Sequence, residues 1–161
     1  MENILIRQIL PSDDPVLAII IRETLTEFGL NKPGTVYSDE TTDHLFELFK
    51  RDRAVYYVAT KNNEVLGGAG VFPSTGLPEH VCELVKMYLI KSARGMGLGK
   101  KLVNKCFDFA KRNNYSTIYI ETMPELMDAI AMYRKFGFED LHAPLGNTGH
   151  YGCEVWMKKE I

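Results

Sequence analysis

The run Arg94-Gly95-Met96-Gly97-Leu98-Gly99-Lys100-Lys101 is the stretch whose residue types and spacing most suggest chemistry. Three alternate glycines remove the Cβ atoms that would keep a ligand off the backbone. The loop leads into a helix N-terminus, where free N–H groups and the macrodipole favour an anion. Arg94, Lys100 and Lys101 add positive charge, and a diphosphate is the natural guest. Two well-known phosphate loops do not fit. A P-loop needs Gly at 94 and Ser or Thr at 101, where the chain has Arg94 and Lys101. A GxGxxG dinucleotide fingerprint counted from Gly95 ends on Lys100, and counted from Gly97 it ends on Leu102. The plain alternative is a flexible turn that binds nothing.

The elements around this loop follow from hydrophobic period and turn chemistry. Ile4 to Leu10 alternates partly and predicts a strand, broken by Pro11-Ser12-Asp13-Asp14-Pro15. A helix follows from about 15 to 28, with Leu17, Ile20, Ile21, Leu25 and Phe28 on its apolar face. Residues 42–50 suggest a second, shorter helix carrying Leu45, Phe46 and Phe49. The β-rich runs 54–59 and 65–72, joined by Lys61-Asn62-Asn63-Glu64, predict a hairpin. Residues 72–80 form a loop and Val81 to Ile90 the next strand. Leu98, Leu102, Val103, Cys106, Phe107 and Ala110 mark one buried face of a helix over about 98–113. Thr117 to Ile120 is a short strand. Thr122 and Glu125 have capping-box spacing, ahead of a helix that Gly137 stops. Residues 138–141 suggest a strand, 142–151 a loop, and 153–158 a last strand. The order is β-α-α-β-β-β-α-β-α-β-β, an α/β arrangement with helices packed on a mixed sheet. The unit at 81–121 should be a parallel βαβ crossover.

The flanks of the glycine loop sharpen its reading. Arg94-x-x-Gly97-x-Gly99 resembles the Q/R-x-x-G-x-G/A signature of the GCN5-related N-acetyltransferase (GNAT) superfamily, and it follows the apolar strand Leu84-Val85-Lys86-Met87-Tyr88-Leu89. Further on, Ala129-Ile130-Ala131-Met132-Tyr133-Arg134-Lys135-Phe136-Gly137-Phe138 resembles the family's A-x-x-x-Y-x-x-x-G-F segment. The N-terminal strand and double helix match as well. One departure is Leu126, at a place where many members carry Asn. The resemblance implies one acetyltransferase domain over 1–161, with an acetyl-CoA-binding core at about 81–138. It implies a mostly antiparallel, twisted mixed sheet of six to seven strands, flanked by about four helices.

It also implies transfer of an acetyl group from acetyl-CoA to an amine, by direct attack in a ternary complex. The diphosphate would lie on backbone amides across Arg94, Gly95, Met96, Gly97, Leu98, Gly99 and Lys100. The pantetheine arm would lie along Met87, Tyr88 and Leu89, in a strand that the family opens with a bulge. An N–H there would face the thioester oxygen. Glu83 is the first candidate for the base that takes the amine's proton. In a regular strand it shares a face with Val85 and Met87. Its plain alternative is an exposed strand glutamate or a salt bridge. Glu121 and Glu154 come after it. Tyr133 matches the family's general acid, which would protonate the departing thiolate. Its plain alternative is a core tyrosine anchoring a helix. A different class of function remains open: a non-catalytic acyl-CoA-binding regulatory module that kept the cleft.

Composition narrows the partners. A net charge of −2 gives no footprint for nucleic acid. The longest apolar run, Val16 to Ile21, is too short to span a bilayer. Met1-Glu2-Asn3 offers no basic leader. Cys82, Cys106 and Cys153 are widely spaced and read as reduced thiols, so a cytoplasmic location is expected. His44, His80, His142 and His150 are scattered, without metal-ligand spacing, and no metal is expected. His80 and His150 fall in loops that could rim an acceptor pocket, or simply lie on the surface. Cys153 reads as a buried thiol and Trp156 as a packing or acceptor-side residue. The acceptor, a small-molecule or protein amine, would meet the first helical pair and the loops near 72–80 and 142–151. Homodimers are common in the family, and no sequence feature here establishes one.

Overall fold

A computed structural model describes residues 3–161. Its strands are β1 (Ile4–Gln8), β2 (Val55–Lys61), β3 (Glu64–Phe72), β4 (Val81–Leu89), β5 (Thr117–Thr122), β6 (Glu139–Leu141) and β7 (Val155–Glu160). Its α-helices are α1 (Asp14–Glu27), α2 (Leu45–Leu48), α3 (Leu98–Arg112) and α4 (Met127–Lys135). One seven-stranded sheet runs in the order β1-β2-β3-β4-β5-β7-β6, and every neighbouring pair is antiparallel except β4–β5. The expected mixed α/β class, strand count and βαβ crossover are therefore present.

Two apolar layers flank the sheet. The predicted face of α3 is buried, and Leu102, Val103, Cys106 and Ala110 are fully enclosed against Tyr57, Ala69, Leu84 and Ile118. On the other side Leu17, Ile21 and Leu25 of α1 pack with Leu45, Phe49, Tyr56, Val58 and Val85. Covered on both faces, β4 is buried at most positions rather than at alternate ones.

Three sequence expectations give way. The helix foreseen over 42–50 shrinks to the four residues of α2, preceded by 3₁₀ turns at Val36–Ser38 and Glu40–Asp43. Side chains there bind the backbone locally: Thr35 accepts from the Tyr37 N–H and Asp39 from the Thr41 N–H. Such bonds compete with a helical ladder. Thr122 does not cap a helix. It stays in β5, paired with Val155, and α4 begins five residues later behind Leu126, which offers no side-chain cap. The last strand starts at Val155 rather than 153.

The decisive irregularity lies in β4. Its partner β3 pairs Gly70 with Val85 and Gly68 with Tyr88, so Lys86 and Met87 together face Ala69. This is a β-bulge. Lys86 takes a left-handed backbone with φ +52°, a conformation that costs about 1–3 kcal/mol for a non-glycine residue. The fully buried Tyr56 hydroxyl donates to the Lys86 carbonyl at 2.8 Å and pins the bulge. Gly67 also belongs to this crossing, because a Cβ on it would stand 2.0 Å from the Tyr88 carbonyl oxygen. The bulge shifts the alternation. Val85 packs toward α1 while Met87 packs toward α3, so Glu83 shares a face with Val85 but not with Met87.

Candidate active site

Strands β4 and β5 pair only from Val81–Glu83 to Thr117–Tyr119. Beyond Glu83 they part, and β5 continues with β7 alone. The opening is a cleft of ≈ 1080 Å³. At one end it meets the glycine turn. Gly97, with φ +79°, is the N-cap of α3, and Gly95 has φ +77°. A Cβ at either would meet nothing within 4 Å. The loop thus has open space where an anion can approach the start of a 15-residue helix.

Of the predicted cofactor positions, Met87, Tyr88, Leu89, Arg94, Gly95, Gly97, Gly99 and Lys100 line the cleft. Leu98 turns its side chain into the core, and Met96 is exposed on the turn. Arg94 does not serve as a free cation. Its guanidinium makes two bonds to Glu27 on α1, its Nε donates to the Leu89 carbonyl at 3.0 Å, and it lies over the Phe28 ring. It braces the turn against α1, and Lys100 and Lys101 remain as exposed charges beside the turn. At the Asn-to-Leu departure, Leu126 lines the cleft as an apolar side chain.

The opposite end of the cleft holds a polar cluster. Glu83 is only 2% exposed, and Ser74 donates to its Oε1. Burial pushes its carboxyl up to about 7, against the Ser74 bond and with help from the Glu121 charge. Glu83, Glu121 and His150 each bring one ligand-type atom within 4.8 Å of the other two. His150 Nε2 faces Asp39 Oδ2 at 3.2 Å, and Nδ1 faces Glu121 Oε1 at 3.7 Å. Burial opposes a charge on this ring, but the two carboxylates prevail and push His150 up to about 9. Glu121 also accepts from Tyr119 at 2.7 Å and from Thr148. Burial works to raise its carboxyl, yet these bonds and His150 hold it below the usual range. Lys86 Nζ reaches Asp39 Oδ2 at 3.4 Å, and burial pulls this ammonium down from its ordinary value.

Tyr133, on α4, is buried and packs edge-on against Phe138. It also lines the cleft, and among the described residues its hydroxyl has no hydrogen-bond partner. Burial raises its pKa, so the phenol keeps its proton. Glu154 is exposed and Trp156 half-buried, and neither contributes to the cleft wall. Sequence reasoning missed Asp39 and gave His150 only a rim or surface place. The two lie 111 residues apart and meet only when the 31–43 and 142–153 segments close together, as the Gly152 N–H to Gly34 carbonyl bond of 2.7 Å records. No local pattern signals such a pair.

Comparison with known proteins identifies the family and the fold. The profile described as "Acetyltransferase (GNAT) family" matches residues 20–138. An uncharacterized N-acetyltransferase of Escherichia coli K12, YjgM, is 37% identical over 156 residues, covering 96% of this chain and 93% of that protein. An IAA acetyltransferase of Azospirillum brasilense is 29% identical across 100% of both chains. An acetyltransferase of the GNAT family from Staphylococcus aureus Mu50 superposes with a TM-score of 0.83 at 19% identity, covering 98% of this chain and 99% of that one. A PaiA N-acetyltransferase from Thermoplasma acidophilum, solved in complex with coenzyme A, gives 0.75 at 17% identity, with 99% of each chain covered. With a family profile over most of the chain and a full-length relative above one-third identity, this acyltransferase belongs to the GNAT acetyltransferase family.

Proposed function

We propose that the chain transfers the acetyl group of acetyl-CoA to an acceptor amine by direct attack in a ternary complex. One observation carries the reading: a single cleft joins an unobstructed helix N-terminus to a buried carboxylate whose proton affinity centres near neutrality. The residues present suit acetyl-CoA. The open glycine turn accommodates a diphosphate at the α3 amides, with Lys100 beside it. The bulged strand at Met87, Tyr88 and Leu89 supports an extended amide chain. When bound, acetyl-CoA supplies a thioester carbonyl activated for attack by nitrogen.

The protein's own groups then have two proton tasks. Glu83 takes a proton from the acceptor's ammonium, so that a neutral amine can form the new C–N bond. A base poised near 7 is well matched to this at physiological pH. Tyr133 gives the proton of its Oη to the sulfur as the C–S bond breaks, and the second proton of the attacking nitrogen, released as the amide forms, restores the phenol. The same burial that raises the phenol's proton affinity also raises that of a thiolate beside it. The Glu83–Glu121–His150 cluster is read as acid–base machinery rather than as a metal site. Both His150 nitrogens already face carboxylates, and the Lys86 ammonium shares Asp39 with that ring. On this reading 1–161 is one domain with its acetyl-CoA core at about 81–138, and the protein works in the cytoplasm. No helix among the described residues is long and apolar enough to cross a membrane.

A panel of amines with acetyl-CoA, read by thiol release, tests the assignment. The expected result is at least one amine that accelerates release, with N-acetyl product of equal amount. Binding of acetyl-CoA with no acceleration by any amine class would turn the reading to a non-catalytic acyl-CoA-binding module.

A further inference from the structure

Lys86 has no task in the mechanism above, yet it is costly to hold where it is. Its side chain is 4% exposed, and it stands at the left-handed position of the β4 bulge, on the cleft wall. An ammonium carries three donors. Among the described residues Lys86 Nζ has one hydrogen-bond partner, Asp39 Oδ2 at a long 3.4 Å. That same oxygen also faces His150 Nε2 at 3.2 Å, while Asp39 Oδ1 is taken by the Thr41 N–H and hydroxyl. Two cationic side chains thus share one carboxylate oxygen. Buried charges are ordinarily paired and fully hydrogen-bonded, so Lys86 is under-satisfied on the wall of the cleft it lines. Glu83, three residues away across the bulge, lines the same wall.

We propose that the acceptor carries a carboxylate close to its amine, and that Lys86 is the residue that receives this carboxylate. The inference rests on the amine acetyltransferase reading given above. The ammonium of such an acceptor lies toward Glu83 and its carboxylate toward Lys86. Leu25, Phe28, Val36 and Met123, which line the same cleft, offer an apolar surface to the rest of the molecule. The substrate class is therefore a small amino acid or amino-acid-like zwitterion with an apolar side chain. It is not a polyamine, which would present a cation to Lys86.

Matched pairs test this while the acceptor itself is still unidentified. Leucine against 3-methylbutylamine, methionine against 3-(methylthio)propylamine and phenylalanine against phenethylamine differ only by the carboxylate. In the pair that turns over best, the amino acid should have a kcat/KM at least about tenfold above its decarboxylated partner, the scale of one hydrogen bond between charged groups. Lys86→Met should erase that preference. A second readout needs no turnover: calorimetry with the N-acetyl amino acid and the matching N-alkylacetamide should show tighter binding of the acid to the wild-type protein. Turnover without discrimination, or a preference for the decarboxylated amines, overturns the acceptor class and leaves acetyl transfer standing. Absence of turnover with every amine, in protein that binds acetyl-CoA, overturns the underlying reading itself.

Discussion

Replacing Glu83 with Gln removes a titrating carboxyl from a buried position on the cleft wall, and its effect on stability can be worked out without knowing the acceptor. The carboxyl rises from 4.5 to about 7 on folding, chiefly through burial. The folded state therefore prefers the protonated form. Its contribution to stability is fully present below pH 4.5 and is lost as pH rises through about 7. A rise of roughly 2.5 pH units corresponds to about 3 kcal/mol at 1.36 kcal/mol per unit. Glutamine stays neutral at every pH, and its Oε1 can still accept from Ser74. The Glu83→Gln protein should match the wild type near pH 4.5 and exceed it by roughly 3 kcal/mol at about pH 8. Urea unfolding at stepped pH measures the difference directly. The His150 contribution also falls as pH rises, from 6.5 through about 9, but it is common to both proteins to first order. Parallel stability curves for the two proteins would refute the placement of a desolvated, titrating carboxylate at this point. The same substitution should lower kcat/KM by about 10²–10⁴-fold, the worth of a positioned base. The wild-type acidic limb should fall near 7.

Other perturbations follow from the same geometry. Tyr133→Phe should leave acetyl-CoA affinity unchanged, since the hydroxyl has no partner to lose among the described residues, and slow turnover at least about tenfold; calorimetry and initial rates separate the two effects. Gly67→Ala places a methyl 2.0 Å from the Tyr88 carbonyl oxygen. It should cost about 3 kcal/mol or more through strain and broken β3–β4 pairing, seen as a thermal shift. Glu27→Gln weakens the brace on Arg94 at a partly exposed pair. It should cost less than about 1 kcal/mol, with a larger relative loss in acetyl-CoA affinity because the turn is no longer held.

How much of the molecule is legible in its sequence depends on how local each signal is. The face of α3 is readable because six apolar residues repeat at helical spacing and all six are buried. The glycine turn is readable because bare backbone at alternate positions is supplied by only one residue type. Helix α2 is readable in its place but not in its bounds, since its start is set from afar: Asp14 Oδ1 accepts from the Phe46 N–H at 2.9 Å. Arg94 reads as a free cation in the sequence because its partner, Glu27, lies 67 residues away. Glu83 can be singled out, but its neighbours cannot, because the Lys86 bulge breaks the alternation a regular strand would have and turns Met87 to the opposite face. The Asp39–His150 contact depends on the 31–43 and 142–153 segments meeting. It is a product of topology rather than of any spacing in the chain.

On the proposed reading, the bare turn before α3 holds the diphosphate of acetyl-CoA. Isothermal calorimetry of acetyl-CoA against the folded protein and its Gly97→Glu variant tests it most directly. A Cβ at Gly97 meets nothing within 4 Å, so the variant should fold, with a backbone penalty of only about 1–2 kcal/mol. Its carboxylate would occupy the space the diphosphate needs. Stoichiometric binding to the wild type that vanishes in the folded variant is the predicted result. Equal affinity in both, or none in the wild type, would contradict the account.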